Sequence, residues 1–446
     1  MSTQRTEKLY FISLGCDKNR IDAEKMCYLL EKAGYGITAD LGEADAAIIN
    51  TCGFIESSKV EALNNIYDMV NAKNDGVIRA IIVTGCLSER HGREMMELIP
   101  EVDAVVGIGQ NPDIVGIVDR ALRGEPHDYR RSPLDLDLEG ERLISTPQHY
   151  AFLKIAEGCD NHCTFCAIPG IRGRYRSRSA ESILEEARKL VSYGVREIIL
   201  VAQDTTSYGK DLENGDTLAS LLRSMSSIEG LWKIRILYAY PEHITDELLE
   251  EMASNDRICR YLDIPLQHAN DQVLRRMGRF GSGKENLELI KKIKRTVPGI
   301  TLRSTFIVGF PGETDEEFDD LITFIREAEI DRAGCFTYSA EEGTPAERMK
   351  DQLPEEIKKD RADIFYDIQQ EITAKLQQSK AGKVTEAVCD FFDEDKRAFV
   401  CRSESDAPED DLVIYVPLEY DLIPGEIYSL RIEGTDGLDL TAVPID

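Results

Sequence analysis

The chain is poor in positive charge, has a single tryptophan and has no long apolar run. It carries 53 Lys and Arg against 82 Asp and Glu, a net of -29 over 446 residues. Nucleic-acid binders show a basic footprint, because neutralising phosphates drives their affinity. This balance argues against direct nucleic-acid binding and favours a basic partner or a small substrate. No apolar stretch approaches the ~20 residues that span a bilayer, and the opening MSTQRTEK lacks a signal-peptide core. These absences predict a cytoplasmic protein with no membrane association. Eleven cysteines cannot all pair, and their spacings suit metal ligation in a reducing compartment better than a disulfide framework. Trp232, the lone tryptophan, is expected in the core.

Three cysteines, Cys159, Cys163 and Cys166, lie in EGCDNHCTFCAIPG with the spacing C-x3-C-x2-C. A cubane 4Fe-4S cluster normally takes four thiolates. No fourth cysteine follows within ninety residues, so one iron is left open for chemistry. Zinc sites favour C-x2-C pairs with a second pair or histidines downstream. Bacterial ferredoxins use C-x2-C-x2-C-x3-C-P. Neither pattern fits.

The first segment, about residues 6–124, alternates apolar runs with helical patterns. This predicts a doubly wound parallel sheet. Three of its strands end in cysteine: Cys16, Cys52 and Cys86, spaced 36 and 34 residues apart. Ligands of open α/β sheets bind beyond the carboxyl ends of the strands. Three thiols at equivalent ends can therefore converge on a second cluster, again one ligand short. Gly15, Gly53 and Gly85 are expected to leave room for a bulky cofactor. The alternative is that the three cysteines are small buried hydrophobes, as Cys27, Cys259, Cys335, Cys389 and Cys401 are expected to be.

The second segment spans about 145–376, after a polar, proline-bearing linker. The runs AFLKIA, REIILVA, KIRILYA, RYLDI, ITLRSTFIV and AGCFTY alternate with helices. They predict a partial (β/α)6 barrel with its site at the carboxyl ends of the strands. The three-cysteine loop follows the first of them. Gln203 follows the second, Gln267 and His268 the fourth, and Gly309 and Gly312 the fifth. Gln203, Gly309 and Gly312 are candidate cofactor contacts. His162 and His268 are weighed as acids or bases against purely structural roles. Thr314 with Glu317 reads as a capping box. Arg172, Arg174, Arg176 and Arg178 alternate in IRGRYRSR, either to hold a carboxylate or as a solvated basic strand.

The third segment, about 377–446, holds five short strands separated by turns and predicts a small antiparallel, OB-like barrel. From residue 381 it has seventeen acidic against five basic residues, a net of -12. Such a surface repels phosphate and attracts a cationic protein.

The three-cysteine loop resembles the signature of the radical S-adenosylmethionine superfamily. There the open iron chelates the amino and carboxylate groups of S-adenosylmethionine, and Phe165 matches the aromatic placed near the adenine. The three segments in this order resemble the methylthiotransferases, which join a cluster domain, a radical barrel and a TRAM barrel. One branch modifies adenosine in tRNA. The other modifies an aspartate of the twelfth small-subunit ribosomal protein. SLGCDKNRIDAEKM, KIAEGCDNHCTFCAIPGIRGRYRSR, LVAQDTTSYG and YSAEEGTPA are similar to the aspartate branch, while Asp17 stands where many of its members carry proline. The resemblance implies two 4Fe-4S clusters, one on Cys159, Cys163 and Cys166 and one on Cys16, Cys52 and Cys86. It also implies S-adenosylmethionine as methyl donor and radical source, an electron donor, and a basic ribosomal protein as substrate. Two rivals remain at this point. A tRNA enzyme predicts a basic third segment, and a non-catalytic iron–sulfur carrier predicts no cleavage of S-adenosylmethionine.

Overall fold

The computed structural model describes residues 5–125, 127–129 and 132–445. It packs as two compact units. One comprises residues 1–145, 156–178 and 339–347; the other comprises 146–155, 179–338 and 348–446.

The first unit is built on six strands: β1 (Lys8–Ser13), β2 (Gly36–Thr38), β3 (Ala46–Thr51), β4 (Ala80–Gly85), β5 (Ala104–Val106) and β6 (His127–Tyr129). All ladders are parallel, in the order β2-β1-β3-β4-β5-β6. Successive side chains of a strand point to opposite faces, and here both faces are buried. Ala46, Ile48, Ala80 and Ile82 enter one core, and Ala47, Ile49, Ile81 and Val83 the other. That double burial is why these strands read as unbroken apolar runs. The strand order reverses between β1 and β3, which makes the crevice beside them a topological switch point. Helices α1 (Asp17–Lys32), α2 (Glu56–Asn74) and α3 (Cys86–Leu98) leave from β1, β3 and β4. The stretch expected to be a linker is largely exposed from residue 132 onward, with Leu136 and Arg142 buried. Glu24 of α1 takes Arg142 as a buried ion pair and accepts from the Ser145 backbone N–H (2.8 Å) and hydroxyl (2.7 Å).

The second unit holds β7 (Tyr150–Lys154). The chain then passes through β8 (Ala156–Glu157) and β9 (Arg176–Ser177), which belong to the first unit. It returns with β10 (Glu197–Val201), β11 (Lys233–Ile236), β12 (Tyr261–Asp263), β13 (Thr301–Val308) and β14 (Arg332–Thr337). Strands β7, β10 and β11 form one parallel ladder and β12, β13 and β14 another. The two ladders meet where Cys259 N–H donates to the Ile234 carbonyl (2.8 Å) and Ala239 N–H to that of Asp263 (2.8 Å). Six parallel strands thus run in chain order, as the six apolar runs predict. Among the described residues no ladder joins β7 to β14, so the barrel is partial. Trp232 is half-buried rather than core, because it precedes β11 at the strand's amino end.

The carboxyl-terminal strands β15 (Val384–Asp393), β16 (Ala398–Ser403), β17 (Ile414–Pro417), β18 (Ile427–Asp436) and β19 (Asp439–Pro444) close a barrel in the order β15-β16-β17-β19-β18. One ladder, β17 with β19, is parallel. The other four ladders are antiparallel, as the small antiparallel barrel predicts, and the parallel pair has a simple reason: a closed ring of five strands cannot alternate direction all the way round.

Buried ions fasten this barrel to the amino ends of the parallel strands within the second unit. Glu197, the first residue of β10, takes Arg235 Nε at 2.7 Å on one oxygen and Arg402 of β16 on the other. All three are 1% exposed. Lys233 pairs with Glu404 at 3.0 Å, and Arg332 with Asp406. Removing one partner of a buried ion pair strands the other and costs ~3–5 kcal/mol. Glu197→Ala strips Arg235 of its carboxylate and leaves Arg402 with Asp390 alone, at 3.1 Å. It should lower the urea-unfolding free energy of the full chain by about that amount, read on Trp232 fluorescence.

Candidate functional site

Both cysteine trios lie in the first unit. Cys16 is the N-cap of α1, Cys52 directly follows β3, and Cys86 opens α3 after β4. The three strands are neighbours in the sheet, so the thiols gather at one edge. Cys16 is exposed and Cys52 half-buried, which small core hydrophobes are not; Cys86 is buried. By contrast Cys259, Cys335, Cys389 and Cys401 are buried in the cores, while Cys27, expected there too, is only half-buried on α1. Two of these three strand-end thiols, Cys16 and Cys86, sit at helix amino termini, where the backbone N–H groups favour a thiolate.

The glycines act differently from the expectation. They leave no space for a cofactor at their own Cβ positions; neighbouring ligand loops occupy it. A Cβ on Gly15 would lie 2.8 Å from Cys52 Cβ and 3.0 Å from its sulfur. One on Gly53 would lie 2.7 Å from Leu87 Cα, and one on Gly85 2.4 Å from the Thr51 carbonyl. The glycines therefore draw the three loops together.

Burial pushes the Cys86 thiol up to about 11, Arg172 opposes that shift, and Cys16 and Cys52 add to it. Metal coordination deprotonates such a thiol outright. Among the described residues no three Cys, His, Asp or Glu groups converge on a single-ion position. A cubane places each thiolate on a different iron, so its ligands stand farther apart than those of a zinc ion. Soft thiolates, one per strand end, suit an iron–sulfur cluster.

The second trio is held on a loop with a fixed base. Ala156 pairs with Ser177 and Glu157 with Arg176 in an antiparallel ribbon. Cys159 N–H donates to the Gly173 carbonyl at 3.1 Å, and Cys166 N–H to that of Cys163 at 3.1 Å. The helix Ile168–Arg172 follows. Cys159, Cys163, Phe165 and Cys166 are all half-buried. Gly158 has φ +78, and a Cβ there would sit 2.1 Å from the Arg174 carbonyl. Only glycine lets the ribbon close.

Other residues of the first unit were not legible as functional. Glu341, 3% exposed, binds Lys59 at 2.7 Å and Arg90 at 2.9 Å. Arg90 also donates to the carbonyl of Gly53, next to Cys52, at 3.0 Å. Ala346 N–H donates to the Thr164 carbonyl between Cys163 and Cys166 at 2.9 Å. Residues 339–347 thus strap both trios. The only sequence signal was the similarity of YSAEEGTPA to the aspartate branch. Of the alternating arginines, Arg172 is buried, Arg176 donates to the Leu134 carbonyl (2.7 Å), Arg178 pairs with Glu139 (2.9 Å) and Arg174 is exposed.

Family models match three stretches: the radical SAM superfamily over residues 153–325, uncharacterized protein family UPF0004 over 8–107, and a TRAM domain over 381–445. The ribosomal protein uS12 methylthiotransferase RimO of Clostridium tetani is 45% identical, covering 98% of this chain and 97% of its own. That of Pelotomaculum thermopropionicum is 46% identical, covering 97% and 98%. The chain belongs to the RimO family. It is a radical S-adenosylmethionine methylthiotransferase, with S-adenosylmethionine and 4Fe-4S clusters as its cofactors. Among solved structures, the radical S-adenosylmethionine methyltransferase TsrM of Kitasatospora setae has a TM-score of 0.57 at 13% identity, covering 76% of this chain and 75% of its own. That likeness shows the shared fold.

In the second unit of this RimO-family chain, Gln203 lies two residues beyond β10 and is half-buried. Gly309 and Gly312 follow β13, both with φ +72. At Gly309 the close approach is made by Lys358, whose Cγ would lie 2.3 Å from an added Cβ. Thr314 and Glu317 form the reciprocal capping box. His162 is exposed. His268 is fully buried, and its Nδ1 accepts the Asn270 N–H at 3.0 Å. Burial lowers its pKa to about 3; Glu317 resists the shift, while Arg276 and Arg361 add to it. The ring is therefore neutral at physiological pH, and its 3.6 Å separation from Glu313 is not an ion pair. No structural sign makes it an acid or base.

These observations set two expectations. Gly158→Ala should open the ribbon, so that the reconstituted protein loses the iron of the second trio and 5'-deoxyadenosine formation drops at least tenfold. For His268, the folded pKa lies below the ordinary 6.5. The unfolded chain then takes up a proton that the folded one refuses, and stability falls as pH drops below 6.5, by ~1.4 kcal/mol per unit. Between pH 7.5 and 5, wild type should lose about 2 kcal/mol more than His268→Gln in urea titrations.

Proposed function

We propose that this chain methylthiolates the β-carbon of an aspartate in ribosomal protein uS12. The observation that carries the reading is the pairing of two three-cysteine sets in one compact unit, each a ligand short of a full cubane shell. Cys159, Cys163 and Cys166 hold the radical-generating cluster, and Cys16, Cys52 and Cys86 the auxiliary one. Phe165, Gln203, Gly309 and Gly312 are the candidates for contacts to S-adenosylmethionine. The working divisions are 6–124 for the auxiliary-cluster domain, 145–376 for the radical core and 377–446 for the TRAM domain.

When bound, the clusters and S-adenosylmethionine supply a carbon-centred radical able to take hydrogen from an unactivated C–H bond, and a methylated sulfur to replace it. The protein's own share is positional. The 156–177 ribbon fixes the first trio, and the three strand ends with their interlocked glycines fix the second. Burial of Cys86 and Arg172 keeps water from that side of the auxiliary trio.

The TRAM barrel supports a protein substrate over RNA. Of its five basic residues, Arg402 is buried against Glu197 and does not offset the acidic surface. A basic ribosomal protein suits that field. The reading places the enzyme in the cytoplasm, supplied by a separate electron donor and acting without a membrane. No helix among the described residues is long and apolar enough to cross one.

The test uses anaerobically reconstituted protein with S-adenosylmethionine, reductant and sulfide, offered the aspartate-bearing loop of uS12 or a tRNA. A methylthio mass gain on the peptide alone is expected. A gain on the tRNA alone would overturn the substrate assignment. Cys163→Ala should abolish 5'-deoxyadenosine formation; an unchanged rate would sink the radical reading.

A further inference from the structure

Arg172 ends the short helix that follows Cys166, yet its guanidinium lies among residues of the other trio. It is 1% exposed. Nη2 lies 3.4 Å from Cys86 Sγ and 3.1 Å from Asn19 Oδ1. Nη1 donates to Asp22 Oδ2 at 2.7 Å and to Glu157 Oε2 at 3.0 Å. Asn19 and Asp22 stand on α1, which Cys16 caps. Glu157 stands two residues before Cys159. Asn19 in turn donates to the carbonyls of Leu14 (2.6 Å), two residues before Cys16, and Thr51 (3.3 Å), which precedes Cys52. One side chain from the radical loop is thereby tied to all three auxiliary ligand loops.

Stability does not account for such an arrangement. A buried guanidinium with two buried carboxylates roughly breaks even against an apolar replacement, and the best-attested use of buried ions is to fix register. A fork with several donors at set angles can satisfy a sulfur, an amide and two carboxylates together, which an ammonium cannot. A donor aimed at a ligand sulfur also acts on the metal. Hydrogen bonds and positive charge at cluster thiolates stabilise the reduced, more negative state.

We propose that Arg172 is a positioning residue linking the two trios: rooted in the radical loop, it orients Cys86 and raises the redox potential of the auxiliary cluster. The inference rests on the two-cluster reading above. It also assigns Asp22 a role, because its carboxylate opposes the charge of the guanidinium that reaches the sulfur.

The experiment measures the auxiliary cluster by itself. Full-length Cys163→Ala protein, reconstituted anaerobically, should hold that cluster alone, and its midpoint potential is read by EPR redox titration. Adding Arg172→Met should move the potential down. Adding Asp22→Asn should move it up, and Arg172→Lys should recover only part of the Arg172→Met shift, the part that charge supplies without the fork. In the protein with Cys163 intact, Arg172→Met should cut methylthio product per 5'-deoxyadenosine formed at least fivefold. A potential unmoved by Arg172→Met overturns the proposal. So does a downward shift in Asp22→Asn, since general loosening of the fold moves both variants the same way. Absence of any cluster in Cys163→Ala, by iron and sulfide count, defeats the two-cluster reading itself and is told apart from failure of Arg172's role.

Discussion

A parallel ladder delivers the carboxyl end of every strand to the same edge of its sheet, and the chemistry of this molecule depends on that geometry. In the first unit, β1, β3 and β4 are neighbours, so residues just past their ends gather without any long side chain having to reach. Cysteine, with one carbon between backbone and sulfur, meets its counterparts there only because the backbone has already converged. The glycines beside the thiols complete the approach, since each lets the next loop into the volume a Cβ would fill. In the second unit the same rule sends Gln203 and Gly309 to the carboxyl ends of β10 and β13.

Each unit also contains a buried arginine system that sets register. Arg172 is fixed by Asp22 and Glu157 in the first unit. Arg235 and Arg402 share Glu197 in the second. Charges removed from water contribute little net stability but penalise every alternative packing that would strand one of them. A loop with several cysteines needs such discrimination, because thiols are chemically interchangeable and backbone position alone decides which of them meet.

Much of this was legible in the sequence because the signals are local. Double-buried strands must be continuous apolar runs, so β3, β4 and β10 announce themselves, whereas β13 alternates buried with half-buried positions. The C-x3-C-x2-C spacing and the Thr314–Glu317 cap lie within a few residues of chain. The three-residue strands β2, β5 and β6 are too short to show a period, and the parallel pair in the TRAM barrel follows from ring closure, which no segment encodes. Arg172 was the instructive miss. Within IRGRYRSR it alternates like a solvated strand, and its partners Asn19 and Asp22 lie about 150 residues away. Nothing in either stretch marks the pairing, and only the folded chain brings the charges together.

The fastening of the TRAM barrel has a consequence for scale. Glu197, Lys233 and Arg332 hold it at the amino ends of the parallel strands, whereas Gln203 and Gly309 lie at the carboxyl ends. Strand β13 is eight residues long, about 26 Å at ~3.3 Å per residue. The second unit therefore carries its acidic barrel at one end of these strands and its candidate contacts at the other. Anything that touched both ends at once would have to span at least the length of the strands that separate them.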